Sequence, residues 1–201
     1  MTEPLRQAEI EAPEDAEQSI TGDDIVPVDN EIKLHSYKTS RLIGSHPKLI
    51  VRDTTLDTCD LRNTVLMDLQ ASRVVLRDCQ LLGVDVSGAA LRDLVCINCQ
   101  IKLGRGFGAR FERCWFESCD LRETEFEESR FERVAFRGCD LRQARLLRSP
   151  LRQVDFRGSR VEGIAVGPDE LRGAVITPDQ AEIFAAAMGL RVLPMPDETT
   201  G

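Results

Sequence analysis

The chain has 201 residues, with 34 acidic against 26 basic side chains and a net charge of −8. That balance supplies no broad basic surface for phosphates, so direct nucleic-acid binding is not expected, and no run of 18 apolar residues suggests a membrane span. Only two histidines occur, His35 and His46, without a nearby nucleophile motif or metal-ligand spacing, so neither an enzyme nor a cofactor or metal site is expected.

Residues 1–31 hold ten acids and one base, with Gln and Pro and few aromatics, which reads as a disordered acidic leader. It is either a solubilising segment or an arm that occupies a basic surface on a partner. The start lacks the basic-then-apolar pattern of an export signal, so a cytoplasmic protein is expected. Residues 32–50 add four bases and no acid. Their apolar members Leu34, Tyr37, Leu42, Ile43, Leu49 and Ile50 suffice to cap the first turn of the repeat region that begins at residue 51.

From Leu56 to Ile176 the large apolar residues recur every five positions in one phase. Leu, Ile, Val or Phe fills 22 of these 25 slots, and only Ala71, Cys96 and Gly106 depart. A period of five fits neither a helix nor a flat strand, so the chain must turn a corner every pentad and stack on itself. Two positions before each central slot stands a small residue, Ala, Cys, Ser, Thr or Val in 20 of 25 cases. Residues two apart on extended chain share a direction, so both columns point inward and fill a narrow axis. Where the centre shrinks to Ala71 or Cys96, the small partner grows to Leu69 or Leu94, which conserves core volume. Two positions after the centre, the only large apolar residue is Leu103.

Cys59, Cys79, Cys99, Cys119 and Cys139 are spaced by 20 residues, which predicts four sides per coil and a thiol column. About six coils at the spacing of a strand ladder give a rod of roughly 30 Å. The cysteines sit in inward slots, as buried reduced thiols do. A line of sulfurs makes no tetrahedral zinc cage, and parallel Cβ vectors disfavour disulfides. At Leu103-Gly104-Arg105-Gly106-Phe107-Gly108 both inward columns fail together. Either Phe107 or Leu103 should turn inward there, or the coil should bulge.

The segment 178–201 is entered through Thr177-Pro178-Asp179-Gln180, a helix start with a capping-box pattern, and Gly189 marks the helix stop. The stripe Ala181, Phe184, Ala185 and Met188 should lay this helix across the last coil.

The motifs Cys59-Asp60-Leu61-Arg62, Cys119-Asp120-Leu121-Arg122, Cys139-Asp140-Leu141-Arg142 and Val154-Asp155-Phe156-Arg157 resemble the A(D/N)LXX pattern of the pentapeptide-repeat family. The resemblance covers about two thirds of the chain. It implies an all-β solenoid, a right-handed quadrilateral β-helix with a short C-terminal capping helix. Because related proteins often pair through such a helix, it also implies, as the alternative to an end cap, a homodimer contact through Phe184 and Met188. The best-characterised members it resembles are quinolone-resistance proteins that bind DNA gyrase or topoisomerase IV as DNA mimics and protect it from poisons. The implied functions are thus a non-enzymatic interaction module for such a topoisomerase, or a scaffold with an unrelated protein partner.

Wrapping the chain at 20 residues per coil places two candidate interfaces on its outside. One is an apolar outward column, Val75, Val95 and Trp115, with Ile97 beside it. It is either a docking face or β-favouring filler with Trp115 packed on its neighbours. The other is the acidic group Glu125, Glu127 and Glu128, on which DNA mimicry would rest because residues 51–177 carry no net charge. An Arg-rich side around Arg73, Arg92, Arg113 and Arg133 opposes it. The alternative for both is charge pairing between coils.

Overall fold

The computed structural model describes residues 10, 18–33 and 35–193. Within them the chain forms one parallel ladder wound into a solenoid of about six turns. Short strands β1 (Gln18–Thr21), β2 (Glu31–Lys33) and β3 (His35–Lys38) lead into β4 (Ile50–Asp57). Then come β5 (Gln70–Arg77), β6 (Ala90–Ile97), β7 (Arg110–Glu117) and β8 (Arg130–Arg137). The order is β1-β3-β4-β5-β6-β7-β8, with β2 also pairing β4. From β4 onward each residue pairs with the one 20 positions later, as Leu56 with Leu76 and Leu76 with Cys96.

Each long strand covers two sides of the square. The ladder skips Asp53, Arg73, Asp93 and Arg113, and these residues adopt left-handed backbone (φ 49°, 52°, 52° and 51°) at the corner. The other corners fall at the same position of their pentads, for example Thr58, Asn63 and Asp68. This explains the column in which large apolar residues are missing. A left-handed residue points its side chain away from the axis and favours Asn, Asp or Gly. Leu103 is the exception in sequence and still takes the corner geometry, with φ 61°.

The axis is dry. Leu121, Phe126, Phe131 and Phe136 are buried, and rings stack from coil to coil: Phe111 on Phe131 at 4.9 Å, Phe116 on Phe136 at 5.0 Å, Phe136 on Phe156 at 5.5 Å. The N-terminal half is filled by smaller Leu and Val side chains. It retains an apolar axial cavity of about 110 Å³ lined by residues such as Leu61, Ala71, Leu81 and Cys96. All seven cysteines are buried and free. The Cys59 amide donates to Cys79 Sγ at 3.4 Å, so the sulfur column is in place, and burial pushes the Cys114 thiol up to about 12.

Three expectations are corrected. Neither Leu103 nor Phe107 turns inward: they are 48% and 50% exposed, and the ladder runs through Arg105 without a bulge. At Gly106 the neighbouring coil supplies the missing volume instead, since a Cβ there would lie 2.9 Å from Phe126 Cδ1. At Gly104 the same coil closes in, and a Cβ would lie 2.8 Å from the Ile101 carbonyl oxygen. The ladder also starts before residue 51. Gln18–Thr21 of the expected leader pairs with His35–Lys38, and Asp24 bridges Arg41. Residues 1–9 and 11–17 of that leader, Leu34 of the expected cap, and 194–201 lie outside the described residues.

The third correction concerns α1 (Pro178–Ala187). Its inward face is Gln180 and Phe184, with Ile183 partly buried, whereas Ala181 and Met188 are exposed. Phe184 sits 5.8 Å from Phe156, and Gln180 Nε2 donates to the carbonyls of Phe156 and Ser159 at 2.7 Å each. The inward register follows the polar clamp, which must reach carbonyls that have no further coil to bond.

Candidate protein interface

The outward residues of the side built on Leu76, Cys96 and Phe116 come from the second half of each long strand. Val75, Val95 and Trp115 are ladder partners, and Ile97 lies two residues beyond Val95 on the same side. At the same position on the other three sides stand mainly polar or small residues, such as the exposed Gln100, Arg105 and Ala90, with Ile50 and Val65 as half-buried apolar exceptions. Val75 and Val95 are each only 7% exposed. What covers them is Ile10, itself 8% exposed, which forms a second apolar cluster with Val75 and Val95, backed by Ile97 and Trp115. Four of the residues singled out in sequence therefore meet in one cleft, outside the axial core.

Trp115 closes the C-terminal side of this cleft and is held by polar contacts. Its indole N–H donates to Glu117 Oε2 at 3.0 Å, and the Arg137 guanidinium lies 5.8 Å above its ring. Arg137 is in turn fixed by Asp155, whose carboxylate is fully buried and accepts from Arg137 at 2.7 and 3.1 Å. Arg157 binds the same carboxylate at 2.8 Å. On the opposite rim Arg77 is exposed and has no ion pair among the described residues.

The second candidate behaves differently. Glu127 accepts from Arg145 at 2.6 Å and Arg148 at 3.2 Å, and Glu128 accepts from Arg148 at 2.9 Å. Glu125 is exposed but ladders between Arg105 and Arg145. Glu127 and Glu128 are matched by bases one coil away and Glu125 has bases as its ladder neighbours, so these residues present mixed charge. The Arg-rich side is matched as well: Arg73 grips Asp53, and Arg113 grips Asp93 with its Nε at 2.7 Å. The repeat motif clips charge within one pentad. Asp60, Asp120 and Asp140 accept from Arg62, Arg122 and Arg142, whose guanidiniums hold these carboxyls below the usual carboxylate range. Phe184 is spent on the end cap, while Met188 stands exposed at the helix C-terminus.

No catalytic constellation is assembled among the described residues. His35 stacks on Tyr37, His46 Nε2 lies 3.0 Å from the Ile43 carbonyl, and no group of three His, Cys, Asp or Glu is placed to hold a metal. No helix in the described residues is long and apolar enough to cross a membrane.

Sequence reasoning missed Ile10, Asp155 and Arg137 as parts of the cleft. A signal for Ile10 existed: it is the one large apolar residue between Leu5 and Ile20, inside an otherwise acidic and small stretch.

Comparison with known proteins agrees with the architecture. A family model described as a pentapeptide repeat region matches residues 109–176. No curated protein sequence matches the chain. Among solved structures, the chain is similar to HetL from the cyanobacterium Nostoc sp. strain PCC 7120, a pentapeptide repeat protein involved in heterocyst differentiation regulation. The identity is 17%, with 81% of this chain and 83% of that one covered at a TM-score of 0.53. Full-length QnrB1, a plasmid-mediated fluoroquinolone resistance protein, matches at 14% identity over 86% of this chain and 98% of that one, with a TM-score of 0.34.

Proposed function

We propose that this chain, a β-solenoid whose residues 109–176 match a pentapeptide repeat region, is a non-enzymatic interaction module that docks a protein partner on the Val75–Trp115 side of the solenoid. The observation that carries the reading is the apolar column on an outward-facing side. Val75, Val95, Ile97 and Trp115 neighbour one another outside the axis, whereas an outward apolar residue on another side, such as Val65, stands between polar ladder partners, Ser45 and Asp85. Trp115 brings a large rigid area and a satisfied indole N–H, the properties of an interface anchor.

The test is Trp115→Glu in the full chain. Association with a cognate partner, or self-association if the partner is a second copy, should fall roughly 30-fold. Far-UV circular dichroism should stay unchanged. Undiminished association would move the docking surface to another side.

A second, finer reading takes DNA gyrase or topoisomerase IV as that partner, with protection from topoisomerase poisons as the outcome. What supports it is the build, a rod of roughly 30 Å with ladder spacing throughout. DNA mimicry needs an anionic side to match one charge per roughly 1.7 Å of duplex. Here Asp60, Asp120, Asp140, Glu127 and Glu128 are all paired with arginines, so docking would use the apolar cleft rather than mimicry. Purified protein at micromolar excess should then alter gyrase supercoiling or its inhibition by a quinolone. No change in either assay removes this partner.

A further inference from the structure

We infer that Ile10 is a plug: the cleft over Val75 and Val95 is a site for a segment bearing one β-branched apolar anchor, filled in the free chain by Ile10. A partner segment of the same chemistry enters only by displacing it. This rests on reading that side as the docking surface and adds how access to it is regulated.

Ile10 lies outside the ladder, yet its side chain is as buried as the core residue Leu81, at 8%. Its neighbours Val75 and Val95 come from consecutive coils, so the cleft is a groove between two rungs with Trp115 as its end wall. Ile10 is flanked in the sequence by Glu9 and Glu11, in a segment with a strong acidic excess. The rim is of mixed charge: Asp57, Arg77, Ile97 and Glu117 are successive ladder partners along it. The apolar slot therefore selects the occupant, a segment with a single aliphatic anchor.

The contact is also weak enough to exchange. Seating one aliphatic side chain favours the closed form by roughly 10- to 100-fold before the cost of ordering its segment. A plug of that strength hides the apolar column from non-specific association, but a partner with one further contact can replace it.

Trp115 is the only tryptophan, so its emission reads the cleft directly. The experiment compares the full chain with Ile10→Glu and Ile10→Val, with circular dichroism as the check on folding. It then adds a synthetic peptide of residues 6–14 to Ile10→Glu, alongside the same peptide with Ser replacing Ile. The proposal expects Ile10→Glu to shift Trp115 emission to the red and raise its quenching by acrylamide, while Ile10→Val matches the parent. The peptide in trans should restore the parent emission, with the Ser form at least ~10-fold weaker. Identical emission from Ile10→Glu and the parent overturns the plug. A red shift that no peptide reverses, or that both peptides reverse equally, overturns the selectivity of the site. Neither result depends on any partner, so both are separable from the outcome with Trp115→Glu.

Discussion

Replacing Gln180 by alanine probes how the solenoid ends. The Gln180 side chain is 1% exposed and makes three hydrogen bonds: Oε1 accepts from the Thr177 amide at 3.0 Å, and Nε2 donates to the Phe156 and Ser159 carbonyls at 2.7 Å each. Earlier coils satisfy such carbonyls from the next coil, as when the Arg160 amide donates to the Cys139 carbonyl and Ser159 Oγ donates to the Phe136 carbonyl. In the last coil the Gln180 amide takes that place, joined at the Phe156 carbonyl by the Ser159 N–H at 3.0 Å. Neutral hydrogen bonds contribute about 1 kcal/mol each, so Gln180→Ala should cost about 3 kcal/mol. Gln180→Glu should cost more near neutral pH, because a carboxylate cannot donate and would face two carbonyl oxygens. The gap between the two variants should narrow as pH falls and the carboxyl gains a proton. In a solenoid the loss should stay local, so amide exchange at Asp155 and Val175 should accelerate before that at Val75. Urea denaturation followed by circular dichroism, with site-resolved hydrogen exchange, measures both. A Gln180→Ala stability within about 0.5 kcal/mol of the parent would refute the clamp.

Asp155→Ala leaves Arg137 and Arg157 without their shared carboxylate and should cost about 2 kcal/mol, less than a fully buried pair because both guanidiniums reach water. It should also perturb Trp115 emission through the freed Arg137, which a purely structural loss would not do. Gly106→Ala forces a Cβ against the Phe126 ring and should cost about 1–3 kcal/mol by overpacking. Adding Phe126→Leu should recover part of that loss, and a further drop instead would show the ring is not the obstacle. Asp60, Asp120 and Asp140 have depressed folded-state pKa values, so their contribution is complete above the unfolded value of about 4 and lost as pH falls through the folded values. The urea midpoint should be level from neutral pH to about 5 and fall below 4. The triple Asn variant should show a shallower fall, and an equally steep one would assign the acid response to other carboxylates.

The axis of this protein was legible because one physical demand repeats. Leu56, Leu76 and Phe116 must fill the same narrow column, so the period of five survives 25 slots, and the thiols from Cys59 to Cys139 mark the coil length. The corners were legible as an exclusion, and the backbone gives its cause in the left-handed conformation at Asn63 or Asp68. The first coils were not legible. The register steps 17 residues from Gln18 to His35 and 19 from Ser36 to Thr55, so a scan in phase with the later coils loses them. Gly106 misled for a related reason: a slot read alone looks empty, although its volume is filled by Phe126 from one coil later.

The outer side obeys a different logic. An outward residue is constrained only by its neighbours in adjacent coils, so it carries no period unless something else acts on it. Val75, Val95 and Trp115 could be picked out because three apolar residues in register contradict the solvation of an outward column. What they serve could not be read from their spacing, since the side chain that covers them lies about 65 residues earlier, alone in an acidic stretch. The acidic group had the converse problem. Glu125, Glu127 and Glu128 look like a patch along the chain, yet the coil brings Arg145 and Arg148 against them. In a solenoid, residues 20 apart are as close as residues side by side in an ordinary strand pair. A charge or an apolar residue therefore has meaning only with its coil neighbours, and at the apolar cleft those neighbours share its character.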